Sequence, residues 1–364
     1  MKSTSDWKEG SSSRIVLLLP TILIVLFLSI FPLIISLFLS FARVNFAGGR
    51  VQVAFVGTSN YQKLLFGSQQ RHLLGKFSDL SPLSWILLAL ISAALVYWLW
   101  SYVISPKRNI AGAFFRLLVA IIMGFIAWIC LSTLTGDGLP GTMVVTLVFV
   151  FVGVFLQYVI GLGLALLLVQ ELPGKRLFRI IFLLPMMITP VGIAFLFRML
   201  TDTHLGPLAP LLSRFGEFSW LETAWGARAA VIVGDVWQWT PFMFIILLAA
   251  VEGTSREQLE AALVDGANRL QIFRYVTLPQ IAPVSLTVVM IRMIEAFKII
   301  DIPRILTGGG PGTATESLTL HAYIEWRSPN LGGSAAISYL LLVLVTFFAL
   351  FFVNVLRKSV VEKL

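Results

Sequence analysis

The sequence predicts an all-α integral membrane protein with eight transmembrane helices. Two observations carry that prediction. Of the 364 residues 58% are hydrophobic and only 12% charged, about half the charged share of an ordinary soluble domain, whose core would need far more polar cover. The apolar residues also gather into runs long enough to cross ~30 Å of hydrocarbon as a helix.

In chain order the runs are Ile15 to Phe41, Ser84 to Ile104, Phe114 to Leu134, Thr142 to Val169, Ile180 to Leu200, Ala229 to Val251, Ile281 to Ile302 and Ala335 to Leu356. The first exceeds the ~7–15 apolar residues of a cleaved secretory signal and reads as an uncleaved anchor. "TGDGLPG" marks a turn between the third and fourth. Orientation is set by Lys and Arg in the short connections. With the N-terminus inside, five clusters face the cytoplasm: Lys2, Lys8 and Arg14; Lys107, Arg108 and Arg116; Lys175, Arg176 and Arg179; Arg256, Arg269 and Arg274; and Arg357, Lys358 and Lys363. The opposite orientation would externalise all of them, so both termini are expected in the cytoplasm. The longest outer stretch, Ala42 to Leu83, is too short for a typical independent domain.

Several function classes fall away. One cysteine, Cys130, permits no disulfide framework. The histidines (His72, His204, His321) are far apart in sequence, which argues against a metal site. The +9 net charge lacks the basic stripe with interleaved aromatics that nucleic-acid binding uses.

The longest cytoplasmic loop, Glu252 to Pro283, is also the most organised. Ser255 with Gln258 spells a capping box, and Thr254 with Glu257 a second. A helix "EQLEAALV" comes next, ended by Asp265-Gly266, since glycine adopts the left-handed conformation that closes helices. Asp265 is expected to satisfy free backbone N–H groups at the start of a second short helix, "NRLQIFRYV", which runs to Thr277-Leu278-Pro279. On local chemistry alone this is a surface loop with ordinary caps.

The wider pattern says more. Glu260-Ala261-Ala262, then Asp265-Gly266-Ala267, then Leu278-Pro279 resembles the EAA signature of the membrane subunits of ABC importers. "GDVWQWTPFMFIILLAAVEG" before it is similar to the preceding helix of maltose-type sugar permeases. "EAFKIIDIPRILTGGGPGTATESL" and "LGGSAAISYLLLV" resemble the downstream segments of that family, and "GTSNYQKLL" and "LPGKRLFRIIFLLPMMITPVGIAFLFRML" fit upstream. The resemblance covers roughly Arg14 to Ser68 and Gly141 to Leu364. It implies a five-helix ABC importer permease core (137–364, EAA loop 252–280), preceded by the anchor and short outer segment (1–83). An extra helix pair (84–136), rich in tryptophan, departs from the commonest pattern. The resemblance implies a multi-pass protein of the bacterial cytoplasmic (inner) membrane, importing a sugar or sugar-like solute. It also implies that Glu260, Ala261, Ala262, Asp265, Gly266, Ala267 and Pro279 couple the permease to an ATPase.

No G-x-x-x-x-G-K-[ST] exists in the chain: Gly174-Lys175 is followed by Arg176 and Gly75-Lys76 by Phe77. The run Gly308 to Gly312 lacks the lysine and reads as a turn. The chain is therefore expected to be a transport subunit without its own ATPase motif and without a cofactor. The resemblance implies partners: two ATPase subunits holding ATP and Mg, a second permease subunit and an extracytoplasmic solute-binding protein.

Polar residues inside apolar spans cost ~2.5–3.5 kcal/mol each when charged, so they face cavities or one another. In the seventh span Arg292, Glu295 and Lys298, with Asp301 near its end, sit at steps of three on one face. Two readings stay open. They form an ion ladder, Arg292 with Glu295 and Lys298 with Asp301, or part of that face meets solute. In the sixth span Asp235, Gln238 and Trp239 offer the carboxylate, amide and aromatic ring that sugars use. The resemblance places Gln238, Trp239 and Phe242 at sugar-contacting positions, and Arg292, Ala296 and Ile299 on the cavity side. Arg292 is not the small polar residue expected there for a maltose-like ligand, which leaves an anionic solute open. Gln157 and Tyr158 read as packing groups. The competing classes are an ion-coupled secondary transporter, which expects an internal repeat and has no use for the EAA elbow, and a membrane enzyme, which expects clustered carboxylates or histidines at one face.

Overall fold

In hydrocarbon every backbone N–H and C=O must find a partner within the protein, and this chain meets that demand almost entirely with helices. The computed structural model describes residues 18–47, 50–104, 109–135, 138–170, 173–203, 205–212 and 221–357. The basic residues Lys2, Lys8, Arg14, Lys107, Arg108, Lys358 and Lys363 lie outside them. Seven helices among the described residues are long and apolar enough to span a membrane, and a bent pair makes up to eight.

Two units are distinguished: residues 1–63 with 322–340, and residues 64–321 with 341–364. In the first, helix α1 (Leu18–Ser40) leads into an antiparallel hairpin, Ala42–Ala47 with Arg50–Phe55, in the register Ala42↔Phe55 to Ala47↔Arg50. The apolar runs gave no sign of this hairpin. The buried Asn60 amide donates to the carbonyls of Ser40 (2.9 Å) and Ala42 (3.0 Å), and Tyr61 donates to the Ser40 hydroxyl. These bonds close the groups freed where α1 ends.

In the second unit α2 (Pro82–Ile104) and α3 (Ile110–Leu134) form the extra hairpin. Arg116 lies 4.0 Å from the Tyr102 ring and 4.8 Å from that of Trp98, a cation–π arrangement that shelters its charge. The core is built on α4 (Thr142–Val169) against α7 (Ala224–Glu252). Gly161 is what lets them approach: a Cβ there would sit 2.8 Å from Met243 Cβ and 3.0 Å from the Phe244 nitrogen. Val150, Val154, Phe244, Leu247, Phe297 and Phe348 fill the interior.

The fifth span expected from the sequence, Ile180 to Leu200, is not one helix. It is α5 (Lys175–Met187) and α6 (Pro190–Thr201), bent by 97°. Ile188 and Thr189 are extended, Thr189 because Pro190 drives its predecessor out of the α region, and the Thr189 hydroxyl caps α6 by accepting from the Gly192 N–H.

The elbow also differs in detail. Helix α8 (Arg256–Val264) begins at Ser255, but the Ser255 hydroxyl makes no cap, and Gln258 instead accepts from the Gln280 amide. The capping box that forms is Asn268 with Gln271, so Asn268 rather than Asp265 opens the next helix. That helix is not separate from the membrane span: α9 runs unbroken from Arg269 to Ala296 and is shorter at its far end than the expected Ile302. Helices α10 (Leu318–Arg327) and α11 (Leu331–Asn354) follow.

Candidate functional site

A cavity of about 140 Å³ lies between α7 and two places where the helical backbone is interrupted. One is the Ile188–Pro190 bend. The other is the end of α9, where Phe297 caps the helix and Ile299 and Ile300 are irregular. Irregular backbone at membrane depth is tolerated only when its polar groups are met. Here the Ser317 hydroxyl donates to the Ile299 carbonyl at 2.6 Å, and Thr319 donates to that of Phe297 at 3.2 Å. The Gln238 amide approaches the Ile188 carbonyl at 3.5 Å.

The structure brings Asp235, Gln238, Trp239, Arg292, Glu295, Ala296 and Ile299 to this cavity, with Pro190, Lys298 and Asp301. Phe242 does not line it; it packs on the core, its ring edge-on to Trp239 at 6.5 Å.

The ion ladder is paired differently from the expectation. Arg292 does not hold Glu295: its guanidinium donates to Asp235 Oδ2 at 2.6 Å and to Gln157 Oε1 at 2.9 Å. Gln157 in turn donates to Asp235 Oδ2 at 2.8 Å. All three are buried. Lys298 holds Glu295 at 2.7 Å rather than Asp301, and this pair is exposed. The i,i+3 rule sees only partners on one helix, whereas Arg292 on α9 reaches across to α7. The Trp239 ring lies 4.9 Å from the Arg292 guanidinium carbon. The result is two ion pairs, with Asp301 near them, beside an amide and an aromatic ring.

The elbow residues lie elsewhere in the same unit. Glu260, Ala261, Asp265 and Gly266 are exposed, as are the apolar side chains Leu263, Val264, Leu270 and Tyr275. Gly266 has φ +77; its N–H donates to the Leu263 carbonyl and that of Ala267 to Ala262, both closing carbonyls the helix end leaves open. Pro279 is half-buried in α9, just after its π-helical turn Phe273–Thr277.

Sequence reasoning also missed a cluster. His72 and His321, far apart along the chain, stack with ring centroids 3.9 Å apart beside Glu316. His204 lies outside the described residues.

Residues 157–362 match the family described as binding-protein-dependent transport system inner membrane component. The trehalose/maltose transport system permease protein MalF of Thermococcus litoralis is 37% identical over 215 residues, 58% of this chain and 73% of that protein. The sn-glycerol-3-phosphate transport system permease protein UgpA of Yersinia pestis is 32% identical over 207 residues, 55% of this chain and 69% of that one. In fold, a chain in the crystal structure of a bacterial ABC transporter involved in the import of the acidic polysaccharide alginate superposes with TM-score 0.66 at 19% identity, covering 97% of this chain and 98% of its own. Coverage that wide takes in the helix pair α2 and α3. The family model covers more than half of the chain, and the chain belongs to that family: it is a binding-protein-dependent transport system inner membrane component, the permease rather than the ATPase of an ABC importer.

Proposed function

We propose that this permease carries a neutral, polyhydroxylated solute of the sugar class, handed over by an extracytoplasmic binding protein. The observation that carries the reading is the Arg292–Asp235–Gln157 network. An anionic solute would need a cation free to receive it. Arg292 is already spent on Asp235 and Gln157, Lys298 on Glu295, and the charged residues lining the cavity are three acids and two bases. What remains for a ligand is the Gln238 amide for hydroxyls and the Trp239 ring for an apolar sugar face, with Ala296 and Ile299 as walls. Relatives are named for both trehalose/maltose and glycerol phosphate transport; the charge pairing favours the neutral class.

The cavity is small beside the ~300–1,000 Å³ of usual ligand sites, and the Glu295–Lys298 pair at its edge is exposed. Both features fit a passage completed by a second permease subunit. On the cytoplasmic side, with both termini there, the elbow from Glu257 to Tyr275 docks on one of two ATPase subunits, which hold ATP and Mg. Exposed Leu263, Val264 and Leu270 supply the apolar contact and Glu260 a charge for a basic partner. Because α9 continues from the elbow into the cavity wall, through a π-helical turn at Phe273–Thr277 and past Pro283, a push on the elbow reaches Arg292 along one helix.

The test is ATP-driven uptake by the importer reconstituted in proteoliposomes, with a solute panel of neutral disaccharides and polyols against uronates and sugar phosphates. Preference for the neutral group supports the reading; selective uptake of anions overturns it.

A further inference from the structure

We propose that His72, Glu316 and His321 form a binding site for a divalent transition-metal cation of the zinc class. His72 comes from the one-turn helix Gln70–Leu73, Glu316 from the segment after the Gly308–Gly312 turn, and His321 from α10. One donor atom from each lies within 4.8 Å of the others, and His72 Nε2 is 3.0 Å from Glu316 Oε1. Metal–ligand bonds of ~2.0–2.1 Å put tetrahedral donors ~3.3 Å apart. One edge is therefore already at coordination distance, and side-chain rotation of ~1.5 Å or less closes the others. Two imidazoles and a carboxylate are the donor set of open zinc sites, leaving a fourth position for water.

The surroundings are those of a built site. Glu316 and His321 are buried, at 4% and 0% exposure, while His72 is half-buried and leaves a route in. Thr142, at the start of α4, shares a hydrogen bond with His321 Nδ1 at 3.2 Å. Such an outer contact fixes the ring and turns the other nitrogen toward the cluster. The protein binds the cation where three segments distant in sequence meet. The same stretch is tied to the cavity: Ser317 and Thr319 hold the Ile299 and Phe297 carbonyls, and the Leu318 N–H donates to Thr146 at 2.8 Å. An occupied site clamps that stretch.

The experiment uses the full-length chain, purified on a tag without histidine, stripped with chelator and titrated with Zn²⁺ against a chromophoric competitor. One Zn²⁺ per chain is expected. Affinity falls roughly 100-fold or more in His72→Asn, Glu316→Gln and His321→Asn, and about tenfold in the positioning variant Thr142→Val. It is unchanged in His204→Asn. X-ray absorption at the zinc edge, which needs only the wild-type chain, should show scattering from two imidazoles. Failure of the wild type to retain a stoichiometric ion overturns the proposal, as does zinc bound without two imidazoles or bound equally by the triple variant.

Discussion

Asp235→Asn tests the buried ion pair directly. It removes the charge that faces Arg292 while leaving the guanidinium in place. The two side chains, Arg292 and Asp235, are 2% and 8% exposed and 2.6 Å apart. Removing one partner of a buried pair leaves an uncompensated charge and costs ~3–5 kcal/mol. Gln157 still accepts from Arg292 Nε at 2.9 Å, which holds the cost toward the lower end, about 3 kcal/mol. Replacing both charges by apolar residues, Asp235→Leu with Arg292→Met, removes the uncompensated charge. What remains is a buried Gln157 amide short of partners, ~1–3 kcal/mol. The double variant should therefore be no less stable than the single one, with a coupling energy of ~2 kcal/mol or more between the sites. The assay is equilibrium unfolding in mixed micelles, on Asp235→Asn and on the cycle formed by wild type, Asp235→Leu, Arg292→Met and the double variant. A cost below ~1 kcal/mol for Asp235→Asn, or costs of Asp235→Leu and Arg292→Met that simply add, would refute the pairing that keeps Arg292 from an anionic solute.

Two further expectations come from the packing and from the elbow. Gly161→Ala pushes a methyl to within 2.8 Å of Met243 Cβ; overpacking of this kind costs ~1–3 kcal/mol, read as a lower unfolding midpoint in the same micelles. Gly266→Asp puts a side chain at φ +77 with open space around it, so the fold loses only ~1 kcal/mol. Together with Glu260→Lys it should nonetheless abolish ATPase stimulation by loaded binding protein, and unchanged stimulation in both variants would remove the coupling role.

The spans were legible because apolar length is a one-dimensional property, and Thr142–Val169 is found at the boundaries its composition suggests. The bend at Thr189 was written in the sequence too, as a cap residue before a proline, but it sits inside an unbroken apolar run whose hydropathy hides it. At the elbow, Ser255-x-x-Gln258 and Asn268-x-x-Gln271 both satisfy the capping pattern, and only the second closes. The pattern cannot decide, because Gln258 has a competing partner in Gln280, supplied by the tertiary fold. The same limit explains Arg292. Local spacing offers Glu295 three residues on, but the stronger partner, Asp235, arrives from another helix. Likewise the distance of His72 from His321 along the chain carries no information about their separation in space.

The central claim is that solute passes the amide and ring of α7, and ATP-driven uptake of a labelled neutral disaccharide in proteoliposomes tests it most directly. Gln238→Ala and Trp239→Ala, compared with wild type at matched amounts of assembled importer, should each lose uptake by about 5- to 150-fold, the range set by ~1–3 kcal/mol per buried polar or ring contact. Assembly with the ATPase and basal hydrolysis should be retained. Wild-type uptake in both variants would contradict the account.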